Sequence, residues 1–254
     1  VVPNRYPALT VAPDDLAADA VAIGAHEVII ESARHVDGIA ALSAAEFADV
    51  LDAYASRLNH WHDNGRFEHG LVFKNRGPGA GASLSHVHSQ LIALPELPPA
   101  AAAEFSRAQE SCRQHAACPY CRLIDDERSA GERIVLDRDG LVAFCPFASL
   151  QPHEVWLMPV EHEPWFERRP RQSSDDKLAA TLHALVARIE AIVPGGNYNL
   201  LLQTAPWNKS AGDCGHWRID ILPRSNSLAG FELATGIHIN PLSPARAAER
   251  LRSR

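Results

Sequence analysis

No apolar stretch in the chain approaches the roughly 20 residues needed to span a bilayer. The opening Val1-Val2-Pro3-Asn4 has neither a basic start nor an apolar signal core. A membrane protein and a secreted precursor are therefore not expected, and the cytoplasm is the expected compartment. A run of basic residues is also lacking. The 24 Lys and Arg residues are scattered and the formal net charge is −7, so the electrostatic footprint of a nucleic-acid partner is absent. A phosphate-bearing ligand would have to be held by local groups. There is no initiator Met, and the expectation is that residues upstream are missing or were removed. A disulfide framework is not expected either. Cysteines stand at 112, 118, 121, 145 and 214, an odd number in a chain of 254 residues that is too long to need staples. The pair Cys118-Pro119-Tyr120-Cys121 instead reads as metal ligands or a redox motif. What is present, 46% hydrophobic and 22% charged residues, is the profile of a globular protein with a substantial core.

An internal repeat organises the chain. The apolar run His26-Glu27-Val28-Ile29-Ile30-Glu31 is answered by His153-Glu154-Val155-Trp156-Leu157-Met158, and each is followed by a histidine, His35 and His162. A helix follows each. The first opens with the capping-box pattern Ser43-Ala44-Ala45-Glu46 and carries Phe47, Val50, Leu51, Tyr54, Leu58 and Trp61 at helical spacing. The second opens near Ser173, carries Leu178, Leu182, Leu185, Val186 and Ile189, and stops at Pro194-Gly195-Gly196. Two further strand-like runs come after each helix: Leu71 to Phe73 then His86 to Leu94, and Tyr198 to Gln203 then His216 to Leu222. A register that holds across a helix and two strands points to duplication, with residues 1–110 and 111–254 as the two units. Short connections between neighbouring strands favour antiparallel sheets with packed helices, an α+β architecture.

Residues i, i+2 and i+4 of a strand share a face, so His86, His88 and Gln90 are expected to project together while Val87 and Ser89 point away. Ahead of them lies Asn75-Arg76-Gly77-Pro78-Gly79-Ala80-Gly81-Ala82-Ser83. Three glycines there would let backbone N–H groups approach an anion. A nucleophile and an anion cradle would then adjoin. Cys118, Cys121, His162 and His216 form a second constellation, two thiolates and two imidazoles suited to tetrahedral zinc.

The run Gly81-Ala82-Ser83-Leu84-Ser85-His86-Val87-His88-Ser89-Gln90 resembles the active-site strand of the galactose-1-phosphate uridylyltransferases in the histidine-triad superfamily. The likeness covers nearly the whole chain. Asn4-Arg5-Tyr6-Pro7-Ala8-Leu9 resembles the family's nucleotide-binding segment, and Gly230-Phe231-Glu232-Leu233-Ala234-Thr235-Gly236 resembles its sugar-phosphate segment in the branch that includes the plant ADP-glucose phosphorylases. The resemblance implies a tandem histidine-triad-like fold. It makes His88 the nucleophile and Gln90 the amide on the transferred phosphoryl group. Asn4, Arg5, Tyr6, Asn75, Gly81 and Ser83 would bind nucleotide and phosphate, and Phe231, Glu232 and Thr235 the sugar phosphate. Val87 stands where the family usually has proline, and Ala234 where it commonly has glycine. The wide spacing of Cys118, Cys121, His162 and His216 resembles the family's structural zinc site. His35 and His86, at the repeat-equivalent positions, would be half of a second one. Its cysteine pair would fall before residue 1, so it was either lost with an upstream segment or never present.

The two halves are not chemically equal. The position matching His88 is Arg218, which cannot act as a nucleophile, and the position matching Gln90 is Asp220. One active centre, in the first half, is expected. The function expected is transfer of UMP between UDP-glucose and galactose 1-phosphate through a nucleotidyl-histidine, in a homodimer whose C-terminal segment completes the partner's site. The partners are then a nucleotide sugar and a sugar 1-phosphate. An ADP-sugar phosphorylase, or an inactive zinc-stabilised nucleotide-binding protein, are the alternatives.

Overall fold

The computed structural model describes residues 1–11, 22–169, 174–225 and 229–253. Its strands are β1 (Val2–Pro3), β2 (Leu9–Thr10), β3 (Ala22–Ile23), β4 (Ala25–Ile30), β5 (His69–Arg76), β6 (His88–Leu94), β7 (Ile134–Arg138), β8 (Leu141–Phe144), β9 (Val155–Pro159), β10 (Tyr198–Gln203) and β11 (Arg218–Pro223). Its helices are α1 (Ala44–Asn64), α2 (Pro99–His115), α3 (Pro119–Ala130), α4 (Ser174–Ile192), α5 (Gly230–Thr235) and α6 (Pro244–Arg252). No helix among the described residues is long and apolar enough to cross a membrane.

Helix α1 starts where its capping box places it. The Glu46 N–H donates to Ser43 Oγ at 3.2 Å and the Ser43 N–H to Glu46 Oε2 at 2.8 Å, which satisfies two donors the first turn would leave open. Gly65 ends it in the left-handed region at φ 71°. Ser173, the expected start of the second long helix, lies outside the described residues; α4 is described from Ser174. Phe47, Val50, Leu51 and Leu58 of α1 and Leu178, Leu182, Val186 and Ile189 of α4 are buried in one shared core. The two helices pack on each other over a single face of the sheet.

Nine strands form that sheet in the order β1-β4-β6-β5-β10-β11-β9-β8-β7, every neighbouring pair antiparallel, while β2 and β3 make a small parallel pair apart from it. The α+β architecture is as expected. In the first half the third strand, β6, lies between β4 and β5; in the second, β11 lies between β9 and β10. The two halves meet edge to edge at β5 and β10, with Asn75 opposite Asn199. They share one continuous sheet, and the expected division after residue 110 falls inside α2.

The helix-covered face of this sheet carries a buried ion pair. Lys74 Nζ donates to Glu31 Oε2 at 2.7 Å and to the His88 carbonyl at 2.8 Å, and Tyr54 OH donates to Glu31 Oε1 at 2.6 Å. Ser89 Oγ donates to the same carboxylate oxygen. The Lys74 side chain is 2% exposed and that of Glu31 is 0% exposed. The pair therefore clamps the backbone at the start of β6 from beneath. Lys74→Met leaves Glu31 buried without its cation, and the expected cost in urea unfolding is about 3–5 kcal/mol. The double change Glu31→Gln with Lys74→Met should recover part of that loss. A single-variant loss under about 1 kcal/mol would show the pair to be dispensable.

Candidate active site and metal centre

The glycine loop between β5 and β6 is shaped by the second half of the chain. Gly77 sits at φ 81°, and a Cβ there would meet Asn197 Oδ1 at 2.0 Å, so no other residue fits. The Gly79 N–H donates to Asn197 Oδ1 at 3.2 Å. Asn199 Nδ2 donates to Asn75 Oδ1 at 2.7 Å and to the Ala80 carbonyl at 2.9 Å, with Arg224 Nε donating to Asn199 Oδ1. Arg76 Nη1 donates to the Gly195 carbonyl at 2.5 Å.

The loop differs from the expected anion cradle in one respect. Residues 78–80 form a 3₁₀ turn, and the N–H groups of Ala80, Gly81 and Ala82 are bonded to the Gly77 and Pro78 carbonyls. With Gly79 held by Asn197, the donors of residues 79 to 82 are consumed in holding the loop together. These four amides are therefore not offered to an anion. The cleft beside the loop, about 290 Å³, is lined by Lys74, Asn75, Arg76, Ser83, His86 and His88 among others. Because Asn75 accepts through Oδ1, its amide nitrogen is the donor it can offer a ligand.

His88 opens strand β6, and the alternation of that strand is as expected: Val87 and Ser89 are buried against the helices while His88 and Gln90 are half-buried on the other face. The Nδ1–H of His88 donates to the His86 carbonyl at 2.7 Å. A carbonyl only accepts, so the neutral ring keeps its lone pair on Nε2. His86 does not join His88 and Gln90. The strand ladder starts at His88, and His86 lies before it, its Nε2–H donating to the Ser32 carbonyl at 2.8 Å and its Nδ1 standing 3.2 Å from His35 Nδ1. Gln90 meets His26 instead, Oε1 to Nε2 at 2.8 Å. Asn4 lies against His26 as well, while Arg5 packs its guanidinium over the Tyr6 ring at 5.5 Å and Tyr6 is 81% exposed.

Cys118, Cys121, His162 and His216 come together, with one ligand atom from each within 4.8 Å of all the others. Cys118 caps α3 and Pro119 occupies the first helical position, which brings Cys121 round one turn onto the same side. Cys121 Sγ is 3.4 Å from His162 Nδ1 and 3.7 Å from His216 Nδ1. The far nitrogens are tied back: His162 Nε2–H donates to the Gly212 carbonyl at 2.8 Å and His216 Nε2–H to the Pro159 carbonyl at 3.0 Å. That is how a protein fixes the tautomer of a metal-binding histidine. Burial, then the neighbouring Cys118 thiol, push the Cys121 thiol up to about 12, and burial lowers His216 to about 4. The imidazole is thus ready as a neutral ligand. A metal ion would have to displace the thiol protons. His35 and His86 repeat the pattern, since Ser32 holds His86 as Pro159 holds His216. They are a pair rather than a cluster among the described residues.

At the positions matching His88 and Gln90, Arg218 Nε donates to Asp220 Oδ1 at 2.8 Å, Gln203 donates to Asp220 and Glu104 pairs with the guanidinium. The guanidinium also stacks over Trp156 at 4.5 Å. This is a closed polar network without a nucleophile. Phe231, Glu232 and Thr235 are not brought to the His88 cleft. Their segment is a helix, α5. Glu232 accepts the Ala229 N–H at its start, Thr235 Oγ1 donates to the Phe231 carbonyl, and the Phe231 ring is 49% exposed.

Sequence reading alone passed over His26, Lys74, Asn197, Asn199 and Arg224. The two asparagines carried a signal, since each stands beside a glycine or strand segment that must approach a loop across the chain. Cys118→Ser should lower bound metal and melting temperature together, because a closed structural metal site contributes directly to folding free energy. Elemental analysis finding no metal in the unaltered protein would remove the site.

The family described as "Domain of unknown function (DUF4921)" matches residues 8–254. ADP-glucose phosphorylase of Arabidopsis thaliana is 29% identical over 99% of this chain and 73% of its own length. Galactose-1-phosphate uridylyltransferase of Thermotoga maritima is 23% identical over 90% of this chain and 74% of its own. The crystal structure of ADP-glucose phosphorylase from Arabidopsis thaliana with bound ADP-glucose superposes with a TM-score of 0.89 at 28% identity, covering 99% of this chain and 80% of that one. Sequence and fold agree over nearly the full length: the chain is a member of the DUF4921 family and of the galactose-1-phosphate uridylyltransferase family that includes the plant ADP-glucose phosphorylases.

Proposed function

We propose that the chain is a hexose-1-phosphate nucleotidyltransferase that works through a covalent nucleotidyl-His88 intermediate. The observation that carries this reading is the state of His88: Nδ1–H is committed to the His86 carbonyl, so the Nε2 lone pair is the one available for attack, at a cleft that also holds Arg76 and Ser83. That lone pair attacks the α-phosphorus of a nucleotide diphosphate sugar. The bond to the bridging oxygen breaks and sugar 1-phosphate departs with the electron pair. An oxygen of a second sugar 1-phosphate, or of inorganic phosphate, then attacks the same phosphorus and releases the imidazole. Phosphate leaves readily, so no strong acid is required. An amide, Gln90, suffices to donate to the phosphoryl oxygens.

Transfer of UMP between UDP-glucose and galactose 1-phosphate is the first reading of the donor and acceptor. An ADP-sugar with phosphate as acceptor is the second, favoured by the likeness to the Arabidopsis enzyme over 99% of the chain. Both use the same residues. Asn4, Arg5 and Tyr6 would lie along the nucleotide, and Asn75, Arg76 and Ser83 along its phosphates. The metal at Cys118, Cys121, His162 and His216 would be zinc, since two thiolates and two imidazoles with a closed shell suit it best, and its role would be structural.

The matching strand orders of the halves support two histidine-triad-like repeats, residues 1–110 and 111–254, joined through α2. The exposed apolar side chains of Phe231, Leu233, Ile237 and Ile239 support a homodimer, in which this segment would be covered and would bring Phe231, Glu232 and Thr235 to the partner's cleft. The cytoplasm is the compartment such substrates imply.

His88→Ala should reduce turnover with either donor by on the order of 10⁴-fold or more while melting temperature is kept, because the imidazole forms the bond and fills little core. Steady-state rates within tenfold of the unaltered protein would sink the covalent route.

A further inference from the structure

We propose that His26 is a positioning residue that sets the orientation of the Gln90 amide, so that Gln90 presents its NH₂ group, not its carbonyl, to the transferred phosphoryl group. The inference rests on the reading of Gln90 as the phosphoryl donor and says how that role is enforced. An amide can face a ligand either way round. One face donates to a phosphoryl oxygen, and the other turns a second oxygen against it.

The strand register brings the two side chains together. Val28 of β4 is opposite Gln90 of β6, so His26, two residues along the same face, is the diagonal neighbour of Gln90, within reach of long side chains. The chain of hydrogen bonds then has a fixed polarity. It begins at the Ala8 N–H, which lies 3.1 Å from His26 Nδ1 and, being a backbone amide, can only donate. Nδ1 is therefore the unprotonated nitrogen, and the proton of the neutral ring is on Nε2. Two groups lie near Nε2. The Asn4 amide nitrogen, at 3.0 Å, is itself a donor, because Asn4 Oδ1 is taken by the Tyr6 N–H at 3.0 Å. It cannot accept. Gln90 Oε1, at 2.8 Å, is the acceptor, and once the oxygen is held there the NH₂ must point the other way.

The N-terminal segment is thereby wired to the chemistry. Asn4 and Ala8 flank His26, so the same stretch that would lie along the nucleotide also decides which end of Gln90 the phosphoryl group meets. In the second half the matching arrangement is gone: Asp220 replaces the amide, and the register that sets Trp156 opposite Asp220 puts Glu154 in the place of His26, its carboxylate accepting from the Leu150 N–H at 2.6 Å and from Trp156 Nε1–H at 3.1 Å. A symmetric carboxylate has no orientation to set.

The experiment compares His26→Phe, which keeps a ring but loses the donor, His26→Gln, which keeps a donor, Gln90→Ala, and the double change His26→Phe with Gln90→Ala. The full chain is assayed with ADP-glucose and with UDP-glucose, and kcat, KM and melting temperature are read for each. His26→Phe is expected to lower kcat about tenfold with KM little changed, less than the about 10²–10³-fold for removing the donor itself. His26→Gln should restore most of the loss. In the Gln90→Ala background, His26→Phe should cost nothing further, because the residue it positions is absent. Independent, multiplying losses in the double variant would overturn the proposal and make His26 a structural residue, as would an unchanged kcat in His26→Phe. If Gln90→Ala itself leaves the rate unchanged, the reading of Gln90 fails first, and that outcome is separate from a normal Gln90 effect with a silent His26.

Discussion

The antiparallel pairing of β5 with β10 is the joint on which the site depends. It sets Asn75 opposite Asn199 and carries the Asn197 side chain up to the loop ahead of His88, so that residues of the second half hold the glycine turn of the first. The requirement for glycine at 77 follows from that approach, since any side chain would collide with Asn197. The second half is thus more than a scaffold. Its own positions matching His88 and Gln90 are tied up in the Arg218, Asp220 and Glu104 network, while its strand edge shapes the loop beside His88.

A second constraint recurs through the molecule: imidazole tautomers are fixed by backbone groups. His88 and His86 each donate to a carbonyl, His162 and His216 do the same at the cysteine pair, and His26 accepts from a backbone amide. Backbone dipoles are costly to reorient, so each ring presents one defined nitrogen to its task. For His88 that nitrogen is Nε2, the nucleophile of the proposed reaction; for the metal set it is Nδ1, and for His26 it is Nε2, which donates to Gln90. Beneath them the Lys74–Glu31 pair pins the backbone from which His88 projects.

Much of this was legible in the residues. The helix start at Ser43, the alternation of Val87 and Ser89 against His88 and Gln90, and the gathering of Cys118, Cys121, His162 and His216 all rest on local periodicity or on ligand chemistry, which sequence displays directly. What escaped depends on pairing between distant segments. That the loop amides are consumed internally cannot be read from a count of glycines, because it depends on the 3₁₀ turn closing on Gly77 and Pro78. The roles of Asn197 and Asn199 depend on β10 lying beside β5, which brings them to the loop after Arg76. His86 shares a parity with His88, yet the ladder begins at His88, two residues too late to keep it there. The helical form of Gly230–Thr235 was hidden by its flanking glycines, which read as turn punctuation and instead bracket one short helix.

The covalent role of His88 is the central claim, and one measurement reaches it directly. The full-length protein is incubated with ADP-glucose and with UDP-glucose separately, without acceptor, and its intact mass is recorded at neutral and at acid pH. A phosphoramidate is acid-labile, so the account requires a gain of one nucleotidyl group per chain at neutral pH, with one donor or both, that disappears in acid and never forms in His88→Ala. No adduct with either donor, an adduct that survives acid, or one that persists without His88 would contradict it.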